Sequence, residues 1–275
     1  MGGRVRSSGV RRGFAMPMVI LLSVVIAMGI GVAVTRQVAQ SRTVARQIRA
    51  YQEHHAAQGL QEAIGAFVQR IDAREIDDAT GEDGHALDLE LQGGDVARVY
   101  FVEAQGTLLT SLGGLSDDAL QSNALALERL LASTTPERYR EVTRRVGPWE
   151  VSPRTAPAEV LRAAIGAITE DDRIAQSVTD EIIARRERER IGWSEVSFML
   201  EGAGASDADR RALQRMFTFD PELWFVRVDV KPRGTRRLSA RYGGLTYIPA
   251  GSRRGRSGQA TTGVFLTWEN LGVEP

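Results

Sequence analysis

RRGFAMPMVILLSVVIAMGIGVAV, residues 11–34, joins two arginines and a glycine to an apolar run from Phe14 to Val34 whose only hydroxyl is Ser23. At 1.5 Å rise per residue a helix over this run reaches about 30 Å, the thickness of a bilayer's hydrocarbon core. The apolar region of a secretory signal is shorter, usually about 7–15 residues. The run is therefore expected to span a membrane and remain in the chain. Met1 to Gly13 carries Arg4, Arg6, Arg11 and Arg12 and no acid. Arg36, Arg42, Arg46 and Arg49 follow the span, so charge balance alone leaves orientation open, while the short basic head favours an N-terminus inside.

Working outward, the helix signal does not stop at Val34. Thr35 to Ile71 contains no Pro and no Asn-Gly or Asp-Gly break. Val44, Ile48, Tyr51, Leu60, Ile64, Phe67, Val68 and Ile71 recur at three- and four-residue steps, the period of an amphipathic helix. One helix is predicted from Phe14 to Ile71, about 87 Å long at the same rise, apolar in its first part and amphipathic in its second. Pro17 falls in its first turn, where a missing N–H costs least. Ala27, Gly29, Gly31 and Ala33 place small residues four apart, a spacing that permits close helix packing.

Composition excludes several chemistries. The chain has 275 residues, 35 Lys plus Arg against 35 Asp plus Glu, and 43% apolar residues, which suits folded domains rather than disorder. Cysteine is absent, which removes disulfides, thiol nucleophiles, and Cys-ligated zinc or iron–sulfur centres. The only lysine, Lys231, precedes Pro232, so no Walker phosphate loop exists. Of the three histidines, His54 and His55 are adjacent on the long helix and point about 100° apart, a poor geometry for chelating one metal. No Gly-x-Ser-x-Gly elbow is present, so no catalytic residue is assigned and a non-enzyme is expected.

Beyond the long helix the pattern is α+β. Asp72 to His85 is polar and predicted as a loop. Leu87, Leu89 and Leu91 alternate with polar residues before Gln92-Gly93-Gly94-Asp95, and Val96 to Val102 follows, giving a hairpin that Leu108-Leu109 could extend. Asp117 to Ala132 reads as a helix capped by Ser116, with Leu120, Leu125, Leu127, Leu130 and Leu131 apolar. From Val151 four short helices are predicted: one after a Thr155 cap and Pro157, then Ile174–Arg188, Trp193–Leu200 and Ser206–Phe217. Leu223 to Val230 alternates as a strand, and strands near Leu238–Tyr242, Leu245–Ile248 and Val264–Trp268 complete an antiparallel sheet. The arginine-rich stretch Gly251–Gly258 is predicted as a loop.

The leader Arg11-Arg12-Gly13-Phe14, followed by an uninterrupted apolar helix that turns amphipathic, resembles the class III leader of type IV pilins and type II secretion pseudopilins. That resemblance implies cleavage after Gly13 by a prepilin peptidase and methylation of Phe14. It also implies a pilin-like roll of long helix and antiparallel sheet. Most members carry Glu at the fifth mature position, where this chain has Met18. The minor pseudopilin K family (general secretion pathway protein K), placed at the pseudopilus tip, also lacks that glutamate. The order Thr155-Ala156, Val160-Leu161, Ala184-Arg185-Arg186, Trp193-Ser194-Glu195-Val196 and Leu200 is similar to the K family's helical insert, although Ser152 and Arg154 stand where the family has asparagines.

The implied chain is a noncatalytic minor pseudopilin of a type II secretion system with a fold of the α+β class: a transmembrane and stem helix, a pilin-like antiparallel sheet and an inserted all-helical module. The expected segments are a leader at 1–13, a transmembrane helix at 14–34, a stem at 35–71, a pilin-like part at 72–150, a helical module at 151–218 and C-terminal strands at 219–275. Expected partners are other minor pseudopilins, the major pseudopilin, prepilin peptidase and membrane lipid. The expected location is the bacterial inner membrane, single-pass, with the C-terminal domain periplasmic. Calcium is known in the K family, and Asp77, Asp78, Glu82 and Asp83 are the acids that could hold it, against a reading as a solvated loop. Alternatives are a type IV pilus minor pilin, or a single-span periplasmic adaptor or sensor, the latter disfavoured by a 13-residue head.

The helical segment also resembles helix-hairpin-helix nucleic-acid modules, which present backbone amides to phosphate. Here the hairpin Ile165–Asp172 carries Glu170, Asp171 and Asp172, which repel phosphate, so nucleic acid is not expected as a partner. Arg185, Arg186, Arg188 and Arg190 alternate with Glu187 and Glu189 and read as a solvated helix face.

Overall fold

A long helix, α1, runs over Ala15–Val68. The structure, a computed structural model, describes residues 15–71, 73, 75–76, 80, 83–91, 94–235, 237–249 and 264–272. The chain divides into two compact units, Met1–Gln58 and Gly59–Pro275. In the first, every described side chain from Met16 to Ile48 is exposed. No Pro after Pro17 interrupts the helix, and its last turn tightens where Arg70 N–H donates to Phe67 O at 2.9 Å.

In the second unit the end of α1 buries Leu60, Ile64 and Val68, a four-residue stripe, and Phe67 lies against Phe101 with ring centroids 6.1 Å apart. The predicted polar loop that follows is in part helical: Ala73, Glu75 and Ile76 are helical, and Ala73 and Ile76 are buried. Two apolar side chains anchor an otherwise polar stretch, a signal too sparse for a periodicity reading. Strands β1 (His85–Glu90) and β2 (Val96–Glu103) form the predicted hairpin, closed by Leu91 N–H donating to Asp95 O.

Residues 104–222 then intervene before β5 (Leu223–Lys231) pairs with β2 along its full length, Val96 opposite Lys231 and Glu103 opposite Trp224. Within this insertion lie β3 (Leu108–Leu109), α2 (Asp117–Ser133), α3 (Pro136–Glu141), β4 (Thr143–Arg144), α4 (Ala158–Thr169), α5 (Asp172–Arg186), α6 (Trp193–Gly202) and α7 (Asp207–Met216). The sheet is completed by β6 (Ala240–Tyr247), β7 (Val264–Phe265) and β8 (Glu269–Asn270), in the order β1-β2-β5-β6-β7 with β8 also on β6. The fold is α+β: a long N-terminal apolar helix, an antiparallel sheet and a helical insertion.

Alternation along β5 sorts the two sheet faces as the sequence implies. Val226, Val228 and Val230 are buried beside Phe101, Val99 and Ala97. On the other face Asp88, Arg98, Asp229 and Arg241 stand in register across four strands, acid beside base at each step. Arg241 Nε donates to Asp229 Oδ1 at 2.7 Å. Arg227 lies over the Tyr100 ring at 4.3 Å.

Four local readings need correction. Leu108-Leu109 does not extend the meander; it pairs in parallel with Thr143-Arg144 as a separate two-stranded sheet. The two strands placed at Leu238–Tyr242 and Leu245–Ile248 are one strand, because Gly243-Gly244 makes room for the neighbouring chain. A Cβ on Gly244 would lie 2.2 Å from Thr267 O, and one on Gly243 2.7 Å from both Leu271 and Phe225. α2 buries Ala119, Asn123, Ala126 and Leu130, while Leu120, Leu125 and Leu131 are exposed and the Ser116 side chain makes no capping bond. Thr155 is not a helix cap either: Pro157 occupies that position, and Thr155 Oγ1 donates to Glu103 Oε1 at 2.8 Å.

The helical core gathers Ala126 and Leu130 of α2, Val160, Leu161 and Ile165 of α4, Val178 and Ile182 of α5, Leu200 of α6, and Leu213 and Met216 of α7. α7 opens with a reciprocal capping box in which Ser206 and Asp209 satisfy each other's backbone N–H, as its sequence predicts.

Candidate functional site

The leader residues Arg11, Arg12, Gly13 and Phe14 lie outside the described residues. Met18 stands in the first turns of α1 and is exposed, and no charged side chain occurs from Met16 to Val34. The single hydroxyl in that stretch is satisfied internally, with Ser23 Oγ donating to Val19 O at 2.8 Å. The helix is long and apolar enough to cross a membrane by length and composition, and its apolar side chains are unburied.

His54 and His55 do not converge on a common point. Their rings sit 5.7 Å apart edge to face, and His55 packs instead on Tyr51 at 4.2 Å, one helical turn earlier. Of the acids weighed for calcium, Asp77, Asp78 and Glu82 lie outside the described residues. Asp83 Oδ1 accepts the backbone N–H of His85 at 3.1 Å, an Asx-type turn leading into β1. Among the described residues no group of three or more His, Asp or Glu could hold a metal ion.

In the hairpin between α4 and α5, Glu170 adopts a left-handed conformation (φ 54°) to end α4. Asp171 Oδ1 then accepts from Arg173 N at 2.8 Å and from Ile174 N at 3.4 Å. These amides hold the Asp171 carboxyl below its ordinary value. The helix N-terminus that a phosphate would need is therefore filled by the chain's own carboxylate. Of the four arginines read as a solvated face, Arg186 departs: its Nη1 donates to Pro153 O at 3.1 Å and Ala156 O at 2.6 Å, and burial lowers its pKa.

Two polar residues that carry no motif organise the insertion, one where it joins the sheet and one within it. Gln105 is buried; its Oε1 accepts from Glu222 N at 2.8 Å and Leu223 N at 3.2 Å, and its Nε2 donates to Glu150 O at 3.2 Å. Arg144 is also buried, donating from Nη2 to Pro148 O and to Glu150 O at 3.0 Å, and burial pushes its pKa down to about 10. Both sit where the chain leaves regular structure, and sequence offers no signal beyond isolated polar residues beside apolar ones.

Arg138 bridges α3 to α4, with Nε on Glu159 Oε1 at 2.6 Å and Nη1 on Glu141 Oε2 at 2.8 Å. The Arg138 hydrogen bond holds the Glu159 carboxyl below its ordinary value. A depressed folded-state value means the stabilisation is present above the unfolded-state pKa and disappears as pH falls through the folded one. Arg138→Gln is expected to flatten the acid limb of a Tm-against-pH profile at moderate salt, with a small change in Tm at neutral pH because the pair is largely exposed.

No protein-family model matches the chain, and no curated protein does. Among solved structures, the chain is similar to one from the crystal structure of the GspK-GspI-GspJ complex of the enterotoxigenic Escherichia coli type 2 secretion system. The match has 10% identity and a TM-score of 0.45, and covers 82% of this chain and 99% of that one.

Proposed function

We propose that the chain is a noncatalytic, membrane-anchored minor pseudopilin of the K type, assembling through its N-terminal helix with other pseudopilins to support protein export. The carrying observation is α1 itself. It is apolar and exposed over a bilayer's length, runs without a break into a stem, and follows a basic head ending in Gly13-Phe14. Met18 supports the K type, since without a carboxylate at that position a subunit offers no partner for the N-terminal ammonium of a neighbour in lipid. In this reading the chain is processed after Gly13, methylated at Phe14 and held in the bacterial inner membrane with its sheet and helical insertion periplasmic.

Co-expression with a prepilin peptidase tests this directly. Intact mass and terminal-peptide analysis are expected to show a chain beginning at methylated Phe14, and Gly13→Leu to abolish the cleavage. An intact Met1 terminus, under conditions where a known pseudopilin is cut, would leave a membrane adaptor as the better reading.

A further inference from the structure

The outward face of α2 is apolar and acidic. The helix buries Ala119, Asn123, Ala126 and Leu130, and leaves Leu120, Leu125 and Leu131 36%, 39% and 61% exposed. At about 100° per residue the four buried side chains span about 60° of the helix, and Leu120, Ala124, Leu127 and Leu131 span about another 60° beside them. Leu127 is half-buried against the helical core, so this second stripe starts at the edge of the packed face and turns away from it. Its steps of four, three and four residues are those of a coiled-coil seam, in which each side chain drops between four of a facing helix. A filled seam is covered on its outer side, whereas Leu131 keeps most of its surface in water.

The flank of the seam that points away from the core carries Asp117, Gln121 and Glu128, all exposed and about 50–90° round the helix from the seam's centre. Neither acid makes an ion pair among the described residues. The one base of α2, Arg129, lies on the far side of the helix and bonds Asp172 of α5 at 2.7 Å; Arg215 of α7 approaches Asp118, also on the far side, at 3.9 Å. Two copies of α2 packed antiparallel would set the acidic flank against itself. Packed parallel, they would set it against side chains that the fold already buries.

We infer that α2 is a docking surface on which Leu120, Ala124, Leu127 and Leu131 receive one helix of another protein, basic on the flank that meets Asp117 and Glu128. The seam runs about 17 Å, three helical turns. Apolar burial supplies the attraction, and the one-sided charge sets which edge of the partner lies outward. This surface belongs to the helical insertion, apart from the N-terminal helix, and its occupancy does not depend on leader processing.

The full chain in nanodiscs of zwitterionic lipid is titrated with three fluorescent helical peptides, and empty nanodiscs serve as the blank. Two share one apolar seam, flanked by Arg in the first and by Glu in the second; the third copies residues 115–134 of this chain. The Arg-flanked peptide is expected to bind roughly tenfold tighter than the Glu-flanked one, the size of two exposed charge pairs made attractive in one case and repulsive in the other. The gap is expected to close in about 0.5 M salt. Gln121→Lys with Glu128→Lys is expected to reverse the preference. Leu120→Gln with Leu131→Gln is expected to weaken both designed peptides at least about tenfold, and Leu125→Gln, beyond the acids, by no more than about twofold. A melting curve of each variant checks that its fold is kept.

Equal affinity for the two designed peptides, no binding, or a loss at Leu125 as large as that at the seam would overturn the inference. Tighter binding of the 115–134 peptide than of the Arg-flanked one would overturn it too, by making a second copy of this chain the occupant.

Discussion

Gln105→Leu is expected to destabilise the second unit by about 3 kcal/mol, the cost of leaving two backbone N–H groups without partners. The replacement fits the volume but strands Glu222 N and Leu223 N, which Gln105 Oε1 satisfies, while Glu150 O keeps its bond from Arg144. For a folded region of this size that corresponds to a fall in Tm of roughly 6–12 °C. Tryptophan fluorescence of the full chain in detergent reports it, since Trp224 sits in β5 immediately after Leu223. A change of less than about 1 kcal/mol would mean that water replaces the side chain at this junction.

Ile165→Ala is expected to cost about 2–5 kcal/mol, as for other fully buried aliphatic truncations. Ile165 is inaccessible within the helical core, between α4 and its neighbours. Leu131→Ala provides the contrast. Leu131 belongs to the leucine pattern of α2 but is 61% exposed, and its truncation is expected to change stability by no more than about 0.5 kcal/mol. Chemical unfolding of Leu131→Ala tests the buried face of α2, with Ile165→Ala in α4 as the reference for a fully buried truncation. Equal losses would mean that Leu131 is covered in the assembled protein.

The contrast shows what was legible in the sequence. Long, strongly patterned elements were: α1, the β1–β2 hairpin, the alternating β5 and the capped α7 each follow from period and cap chemistry. α2 is legible as a helix, but its leucines do not define its buried face: Ala119, Asn123 and Ala126 are buried with Leu130, small side chains that fit the close approach of other elements. Asn123 Nδ2 even donates to Leu109 O, a contact no helical periodicity reveals. β6 was split because two glycines usually break a strand. Here they are the places where the Thr267–Leu271 segment comes nearest. The residues weighed for calcium and for the leader include many outside the described structure.

The pairing of β2 with β5 also bears on how the chain reaches its fold. Residues 104–222 separate two adjacent strands, so the centre of the sheet closes a very long loop, and long-range closure of this kind slows folding. Val151 bridges Phe217, and Thr218 N–H donates back to Val151 O, so a formed helical core already holds residues 151 and 217 together. Formation of the helices first shortens the effective span that the strands must close. If the helices form first, the insertion acts as a clasp that shortens the closure of the sheet containing it.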